Sequence, residues 1–396
     1  MTAITIAGGV YHERCIWPDW DHIYGSGGRA AASLSGHVGK ITLKAYLRPQ
    51  IAKLIVPYSE IYGFSVVPVA TSQIVSFEYI HSLSIPAIRP IPTRIKINKP
   101  YPVSDAVVLR FGMMEGSAIV DADRCVHDPQ SAFAPEPFAQ NGSKAKHLAI
   151  VANRSEVTAL AGNAEPVAAA KILLKRGAEV VVVKAGTAGA FVVDRSGTTR
   201  VPAYRSDRVF TIGSGDVFAA VFAAVWGVRR RSSIEAARVA SKGVAAYTGS
   251  MALPIPTVKQ LSRDSVPEAK LVQRKVYLAG PFFTLGQRWL VEEARRCLLE
   301  MGLEVFSPIH DVGPGRAQDV ASADLAALNS ADCLFALIDG LDSGTVFEIG
   351  YARSRKKPVY ALAQTVSDED LKMILGSGCR IYDDFVTALH HLAWGL

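Results

Sequence analysis

The sequence predicts an α/β protein made of two doubly wound domains in tandem, and three observations carry that expectation. From residue 180 to 374, short β-branched runs alternate with longer helical patterns, the signature of parallel sheets covered by helices. The alternation breaks where Leu253-Pro254-Ile255-Pro256 and a polar stretch at 262–270 precede a fresh strand. At 396 residues the chain is also longer than one ordinary core. The expected division is a first domain over 1–262, a linker over 263–274 and a second domain over 275–396. No internal repeat is visible.

In the first domain, β-branched runs predict strands at 4–7, 106–110, 118–121, 148–151, 180–183 and 191–193. Apolar periodicity predicts helices at 165–176, 216–228 and 233–248. Residues 36–105 are rich in Pro, Ile and Ser with weak periodicity, and are expected to hold only small strands that edge or cover a site. The second domain is cleaner. Strands are expected at 276–279, 304–306, 333–338 and 359–363, and helices at 287–301, 319–329 and 345–354. Gly- and Pro-containing loops at 308–315 and 339–344 separate them. A doubly wound sheet places ligands outside the carboxyl ends of its strands, so those loops are where a site is expected.

Composition narrows the function. Apolar residues make up 49% and charged residues 20% of the chain, a soluble globular balance. The net charge of +7 is spread out, and its densest cluster, Arg229-Arg230-Arg231, lacks the interleaved aromatics of a nucleic-acid platform. It reads as a solvated helix end, and no nucleic-acid partner is expected. The five cysteines, Cys15, Cys125, Cys297, Cys333 and Cys379, show no CxxC pair and no ligand-like spacing to His. That argues against a zinc site and a disulfide framework, with Cys297 and Cys333 expected as buried thiols. No direct protein–metal ligation is expected. The chain opens on strand-like Ile4-Thr5-Ile6 without a basic-then-apolar leader, and no apolar run nears the ~20 residues that span a bilayer. A cytoplasmic protein without a membrane partner is expected.

The acidic and phenolic groups of the second domain fall where the loop rule points. Tyr277 lies near the end of its first strand, and Asp324 on the helix before the third. Asp339 and Asp342 lie in the loop that follows, and Glu348 is expected in the first turn of the next helix. A carboxylate so placed can attack an anomeric carbon and hold a sugar covalently. A second carboxyl group can protonate a departing base, and Tyr277 can orient the nucleophile. Blander readings exist for each residue. Thr345-Val346-Phe347-Glu348 fits a capping box, Asp339 and Asp342 fit a turn, and Asp324 fits a helix surface.

The ordered set resembles one family. Val276-Tyr277-Leu278-Ala279-Gly280-Pro281-Phe282-Phe283, then Ala323-Asp324-Leu325 and Ala331-Asp332-Cys333, are similar to the nucleoside 2-deoxyribosyltransferases. So is Ile338-Asp339-Gly340-Leu341-Asp342-Ser343-Gly344-Thr345-Val346-Phe347-Glu348-Ile349-Gly350-Tyr351-Ala352. The resemblance covers about residues 275–385 and implies a flavodoxin-like fold, a homo-oligomer, nucleoside and nucleobase ligands, and no cofactor. It implies Glu348 as nucleophile, Asp324 as base-side proton donor, Asp342 on the sugar 5'-hydroxyl and Tyr277 as the nucleophile's partner. Gly280 and Gly344 join the substrate-binding set. Related nucleotide hydrolases carry Ser at the position of Asp342, and an aspartate repels a 5'-phosphate, which favours a nucleoside over its monophosphate. Transferases of the family often use an Asn near the C-terminus, and the nearest match here is Asp370. Transfer and hydrolysis both remain open.

The first domain offers Gly213-Ser214-Gly215-Asp216 ahead of an apolar helix. Small residues at a helix start can form an anion hole, and Asp216 could take a proton from a hydroxyl. A tight turn is the alternative. The motif resembles the signature of the ribokinase-like PfkB carbohydrate kinases. Asn153-Arg154-Ser155-Glu156 is similar to that family's NxxE element, though Asn153 and Glu156 equally fit a helix cap. Lys184-Ala185-Gly186-Thr187-Ala188-Gly189-Ala190 resembles its nucleotide-binding turn, and Gly27-Gly28 its early substrate glycines. The resemblance covers roughly residues 1–260 and implies a ribokinase-like fold. It implies Asp216 as base, and Gly213, Ser214, Gly215, Asn153, Glu156 and Gly186 around an anion or nucleotide, with Mg-ATP and a sugar as ligands of a working kinase. Two departures stand out: Phe210 replaces the usual acidic residue, and Ala30-Ala31-Ala32 replaces the stretch holding a sugar-contacting Asn. The competing expectations are a glycosyl enzyme carrying a divergent kinase-like domain, a bifunctional enzyme with an active kinase, and a non-catalytic nucleoside or nucleotide sensor.

Overall fold

The computed structural model describes residues 2–131 and 134–396. The chain forms two compact units, the first ending at Ala269 and the second spanning Lys270–Leu396.

The first unit is built on a nine-stranded sheet. Its order is Ser65–Ala70, Lys40–Leu47, Ala3–Ala7, Tyr101–Phe111, Ala118–Asp128, Lys144–Asn153, Val180–Lys184, Ala190–Asp194 and Gly197–Val201. Pairing is parallel up to Val180–Lys184, and the last two strands add antiparallel. A small sheet of Trp20–Ile23, His12–Trp17, Ser76–His81 and Ala87–Arg89 stands apart from it. The helices Gly25–Ser33, Ser214–Phe222 and Ser233–Ser250 are lined with small and apolar residues, and they pack into the largest buried cluster. Gly27 permits the close approach of the first of these to the sheet, because a Cβ there would lie 2.9 Å from the backbone of Gly8.

Residues 36–105 do more than edge a site, contrary to expectation. They supply two strands of the main sheet and the helix Pro49–Tyr62. In Lys40–Leu47 every second residue, Ile41, Leu43, Ala45 and Leu47, is buried. The helix has Pro49 at its first turn, where the missing N–H costs nothing, but Pro57 in its interior obscures its periodicity. The helix expected at 216–228 starts at Ser214 and turns π-helical over Ala223–Val228. Much of the expected linker is also structured. Glu268–Ala269 pairs with Ala203–Tyr204, and the Val272 N–H donates to the Ala393 carbonyl at 2.9 Å.

The second unit is a five-stranded, all-parallel sheet in the order Glu304–Phe306, Lys275–Ala279, Cys333–Leu337, Val359–Leu362, Arg380–Tyr382. Numbered within the unit, that order is 2-1-3-4-5, the flavodoxin-like winding, whose direction reverses between strands one and three. Cys333–Leu337 is buried at every residue, as a central parallel strand between helical layers must be. The helices Leu285–Glu300, Ala317–Ser330, Ser343–Ser354, Asp368–Gly376 and Phe385–Trp394 complete the unit. All five cysteines are buried thiols, and burial pushes Cys333 up to about 11. Among the described residues, no helix is long and apolar enough to cross a membrane.

Candidate functional site

The second unit holds a cavity of about 780 Å³ at the point where its winding reverses. Tyr277, Gly280, Asp324, Asp342, Gly344 and Glu348 all line it. Each arrives by a simple local device. Tyr277 is in the strand Lys275–Ala279, fully buried and stacked on Phe306 with centroids 5.4 Å apart. Gly280 follows that strand, and a Cβ there would lie 3.0 Å from Leu337 Cβ, so glycine lets the two strand ends come together. Asp324 comes from the helix Ala317–Ser330, with its Oδ1 buried and without a hydrogen-bond partner among the described residues.

Asp342 caps the helix Ser343–Ser354. Its Oδ2 accepts from the Thr345 N–H at 2.9 Å and the Thr345 hydroxyl at 3.0 Å. This corrects the expected location of Glu348: it lies in the second turn of the helix rather than the first, and the capping role that its local pattern suggested belongs to Asp342. Glu348 instead accepts a hydrogen bond from the Tyr277 hydroxyl on Oε1 at 2.5 Å. Among the described residues, no cation pairs with it. Burial pushes its carboxyl up to about 7, the Tyr277 hydrogen bond opposes that rise, and Asp324 and Asp342 add to it. Burial also raises Asp324, while burial and then the Glu348 charge raise Tyr277, which stays a hydrogen-bond donor. Two acidic residues fall away from the cavity lining. Asp339 accepts from the Gln364 and Thr365 N–H groups, and Asp370 sits in the cap of the helix Asp368–Gly376, bonded to Ser367.

The sequence reading missed the apolar wall of Phe282, Phe283, Ile309, Val320 and Phe347, and it missed Arg288. Arg288 Nε donates to the Phe282 carbonyl at 2.8 Å, which fixes the guanidinium at the cavity. The doublet of half-buried Phe282 and exposed Phe283, just after Gly280-Pro281, was the available signal for the wall.

The first unit has a smaller cavity, about 270 Å³, lined by Gly213, Gly215 and Asp216 together with Glu13, Arg29 and Gln130. Gly213 caps the helix Ser214–Phe222 at φ +77°, and the Ser214 N–H is already spent on the Thr211 carbonyl at 3.0 Å. Both oxygens of Asp216 are engaged. Arg29 Nη1 reaches Oδ2 at 2.7 Å, and Gln130 Nε2 reaches Oδ1 at 2.5 Å. Arg29, only 1% exposed, also pairs with Glu13, donates from Nε to the Tyr247 hydroxyl at 3.2 Å, and lies 5.6 Å from the Tyr24 ring centroid. Its side chain passes 2.1 Å from where a Gly213 Cβ would sit, so glycine is required there by a buried cation rather than by a bound anion alone.

The remaining expected nucleotide residues are not in this cavity's lining. Asn153 and Glu156 form a reciprocal capping box on the helix Arg154–Ala161, with both bonds at 2.8 Å. Gly186 makes a tight turn at φ +55°. The sequence reading also missed the pair of half-buried Lys184 with buried Asp128, Nζ to Oδ2 at 2.6 Å, in which burial raises Asp128 despite the cation beside it. Isolated charges inside apolar runs, Arg29 above all, were the signal for this network.

Residues 276–381 match the model of the nucleoside 2-deoxyribosyltransferase family, and residues 120–256 that of the pfkB family carbohydrate kinases. The chain therefore joins a pfkB carbohydrate kinase-family domain to a nucleoside 2-deoxyribosyltransferase-family domain, and both families are enzymes. Similar solved structures include a ribokinase from Thermotoga maritima, 16% identical, covering 66% of this chain and 98% of that one with a TM-score of 0.47. A fructokinase from Vibrio cholerae O395, with fructose, ADP and calcium bound, is 12% identical, covers 66% and 98%, and has a TM-score of 0.49. An Arabidopsis thaliana ribokinase with ribose and ATP is 16% identical, covers 67% and 99%, and has a TM-score of 0.47. No curated protein matches the chain.

Proposed function

We propose that the C-terminal unit cleaves or exchanges the N-glycosidic bond of a nucleoside or deoxynucleoside through a covalent sugar ester of Glu348. One observation carries this reading. Glu348 is a half-buried carboxylate whose Oε1 is held by the Tyr277 hydroxyl at 2.5 Å, inside a cavity that also presents Asp324 and Asp342. A carboxylate kept for structure is normally matched by a cation; this one is oriented instead.

In the first step a Glu348 oxygen bonds to C1', the C1'–N bond breaks, and its electron pair leaves on the base. Asp324, raised by burial and with Oδ1 unpartnered, supplies the proton that the leaving nitrogen needs. Tyr277 keeps the Glu348 carboxylate in one rotamer and withdraws charge from the oxygen that becomes the ester. In the second step water or another base attacks C1', the ester bond breaks, and Asp324 takes the proton released by the acceptor. The apolar wall of Phe282, Phe283 and Phe347 suits a flat base, and about 780 Å³ is ample for a nucleoside.

Asp342 makes the substrate a nucleoside rather than its 5'-monophosphate. It places a negative charge at the N-terminus of Ser343–Ser354, where a phosphate would otherwise be welcome. The test is chromatography of released and exchanged bases, with nucleosides beside their 5'-monophosphates, with and without a free acceptor base. Base release from nucleosides, at least tenfold faster than from the monophosphates, is expected. Equal or faster turnover of the monophosphates overturns the role of Asp342, and no release from either overturns the glycosidic reading.

A further inference from the structure

We infer that Arg288 selects the base, and that the cavity of the C-terminal unit takes nucleosides of 6-oxopurines, hypoxanthine and guanine, in preference to those of adenine, cytosine or thymine. This selection rests on the glycosidic reading of the cavity and adds a base to it.

Arg288 is a cation in an acidic cavity, and it pairs with none of the acids. Asp324, Asp342 and Glu348 line the same space, and among the described residues Arg288 is the one cation in the lining. Glu348 is held by Tyr277 and Asp342 by Thr345, while Asp324 Oδ1 has no partner among the described residues. The guanidinium bonds instead to a carbonyl, that of Phe282, through Nε at 2.8 Å. Both Nη groups are left, among the described residues, without a protein acceptor. The carbonyl is itself fixed. Gln287 Oε1 accepts from the N–H groups of Phe283 and Thr284, each at 3.0 Å, and the Thr284 hydroxyl accepts from the Gln287 N–H at 3.3 Å. This capping box ties the turn that carries Phe282 to the helix that carries Arg288. A guanidinium set in advance loses little freedom when a ligand arrives.

The order of the elements puts Arg288 at the base end. Asp342 and Glu348 follow the central strand Cys333–Leu337. Arg288 follows the neighbouring strand Lys275–Ala279, and Pro308 and Ile309, which share its lining, follow Glu304–Phe306, one strand further out. His310 clips the two together, its Nε2 lying 2.7 Å from the carboxylate of Glu292, one turn beyond Arg288. Asp324, the proton donor to the base, stands on the next helix of that connection. With the 5'-hydroxyl at Asp342 and C1' at Glu348, the base extends toward Arg288.

A guanidinium only donates, so it needs acceptors side by side in one plane. O6 and N7 of hypoxanthine and guanine are such a pair. Adenine sets an amino group beside N7, which would face Arg288 donor to donor. Cytosine presents an amino group and thymine a single carbonyl on the corresponding edge. Hydrogen bonds to O6 and N7 also draw on the electron pair that the base takes when the C1'–N9 bond breaks, while the proton from Asp324 goes to the leaving nitrogen.

The test uses the full chain and reads binding apart from turnover. Calorimetric titration with hypoxanthine and with adenine is run beside chromatographic base release from 2'-deoxyinosine, its 5'-monophosphate and 2'-deoxyadenosine, in wild type and in Arg288→Gln. Hypoxanthine should bind at least tenfold tighter than adenine, and kcat/KM for 2'-deoxyinosine should exceed that for 2'-deoxyadenosine at least tenfold. Arg288→Gln, whose amide matches the amino group and N7 of adenine, should reverse both preferences, which a merely destabilised variant would not do. Equal binding of the two bases, no saturable heat with either, a variant that weakens both alike, or a loss confined to the monophosphate overturns the inference. Hypoxanthine selected by Arg288 without base release from any nucleoside supports it and overturns the role of Glu348 alone. Base release from both nucleosides at equal rates overturns the role of Arg288 alone.

Discussion

Two cavities in this molecule each contain a carboxylate, Asp216 buried and Glu348 half-buried, and the two are treated in opposite ways. Asp216 is ion-paired with Arg29 and hydrogen-bonded by Gln130, and Glu348 is given only a phenol. Neutralisation makes a carboxylate a structural member, because the desolvation cost of both charges is offset by their pairing. Leaving it without a cation stores that cost in the fold and keeps the carboxyl near neutrality, up to about 7 for Glu348. On the proposed reading, the difference suits Glu348 to bond-making and Asp216 to holding the shape of its cavity.

The largest expected effect is on catalysis at Glu348. Glu348→Ala should lower base release on the order of 10⁴-fold, measured chromatographically at saturating nucleoside. Retained activity would break the contrast at once.

Stability should respond with opposite signs in the two cavities. Asp216→Asn leaves Arg29 short of one of its two carboxylates and should cost about 3 kcal/mol in urea unfolding of the N-terminal unit. Glu348→Gln should do the reverse above neutral pH. The folded carboxyl sits near 7 against an ordinary value of 4.5, so between those values the folded state binds more protons than the unfolded, and stability falls as pH rises. The cost of ionising Glu348 is absent below about 4.5 and fully present above about 7. Glu348→Gln should therefore gain about 1–3 kcal/mol at pH 8 and nothing at pH 4, read from unfolding of the C-terminal unit. The same titration predicts that kcat/KM of the wild type rises as pH increases through about 7.

The smallest effect sharpens the role of the phenol. Tyr277→Phe keeps the stack on Phe306 but removes the hydroxyl from Glu348, and should lower kcat roughly tenfold with KM little changed.

Much of the C-terminal unit was legible in the sequence because its signals are local. Strands such as Cys333–Leu337 are unbroken apolar runs, and Tyr277, Asp324, Asp342 and Glu348 sit in or beside elements whose patterns are local and which the winding of the sheet brings together. The location of Glu348 was misjudged because Thr345 and Glu348 have capping-box spacing, and only the backbone of Ser343–Ser354 shows that Asp342 took the cap. The closing elements, Asp368–Gly376, Arg380–Tyr382 and Phe385–Trp394, went unread. In the N-terminal unit the decisive pair is 187 residues apart, Arg29 to Asp216, and no pattern along the chain announces it. Asn153 and Glu156, by contrast, had a local cap as their plainer reading, and the cap is what they form.

A covalent bond between Glu348 and a sugar can be trapped directly. A nucleoside bearing fluorine at C2' of the sugar slows the second step more than the first, so the intermediate accumulates. Mass spectrometry of the intact chain should then show one added fluorosugar, and peptide mapping should place it on Glu348. An adduct on another residue, or continued base release by Glu348→Ala without any adduct, would contradict the account.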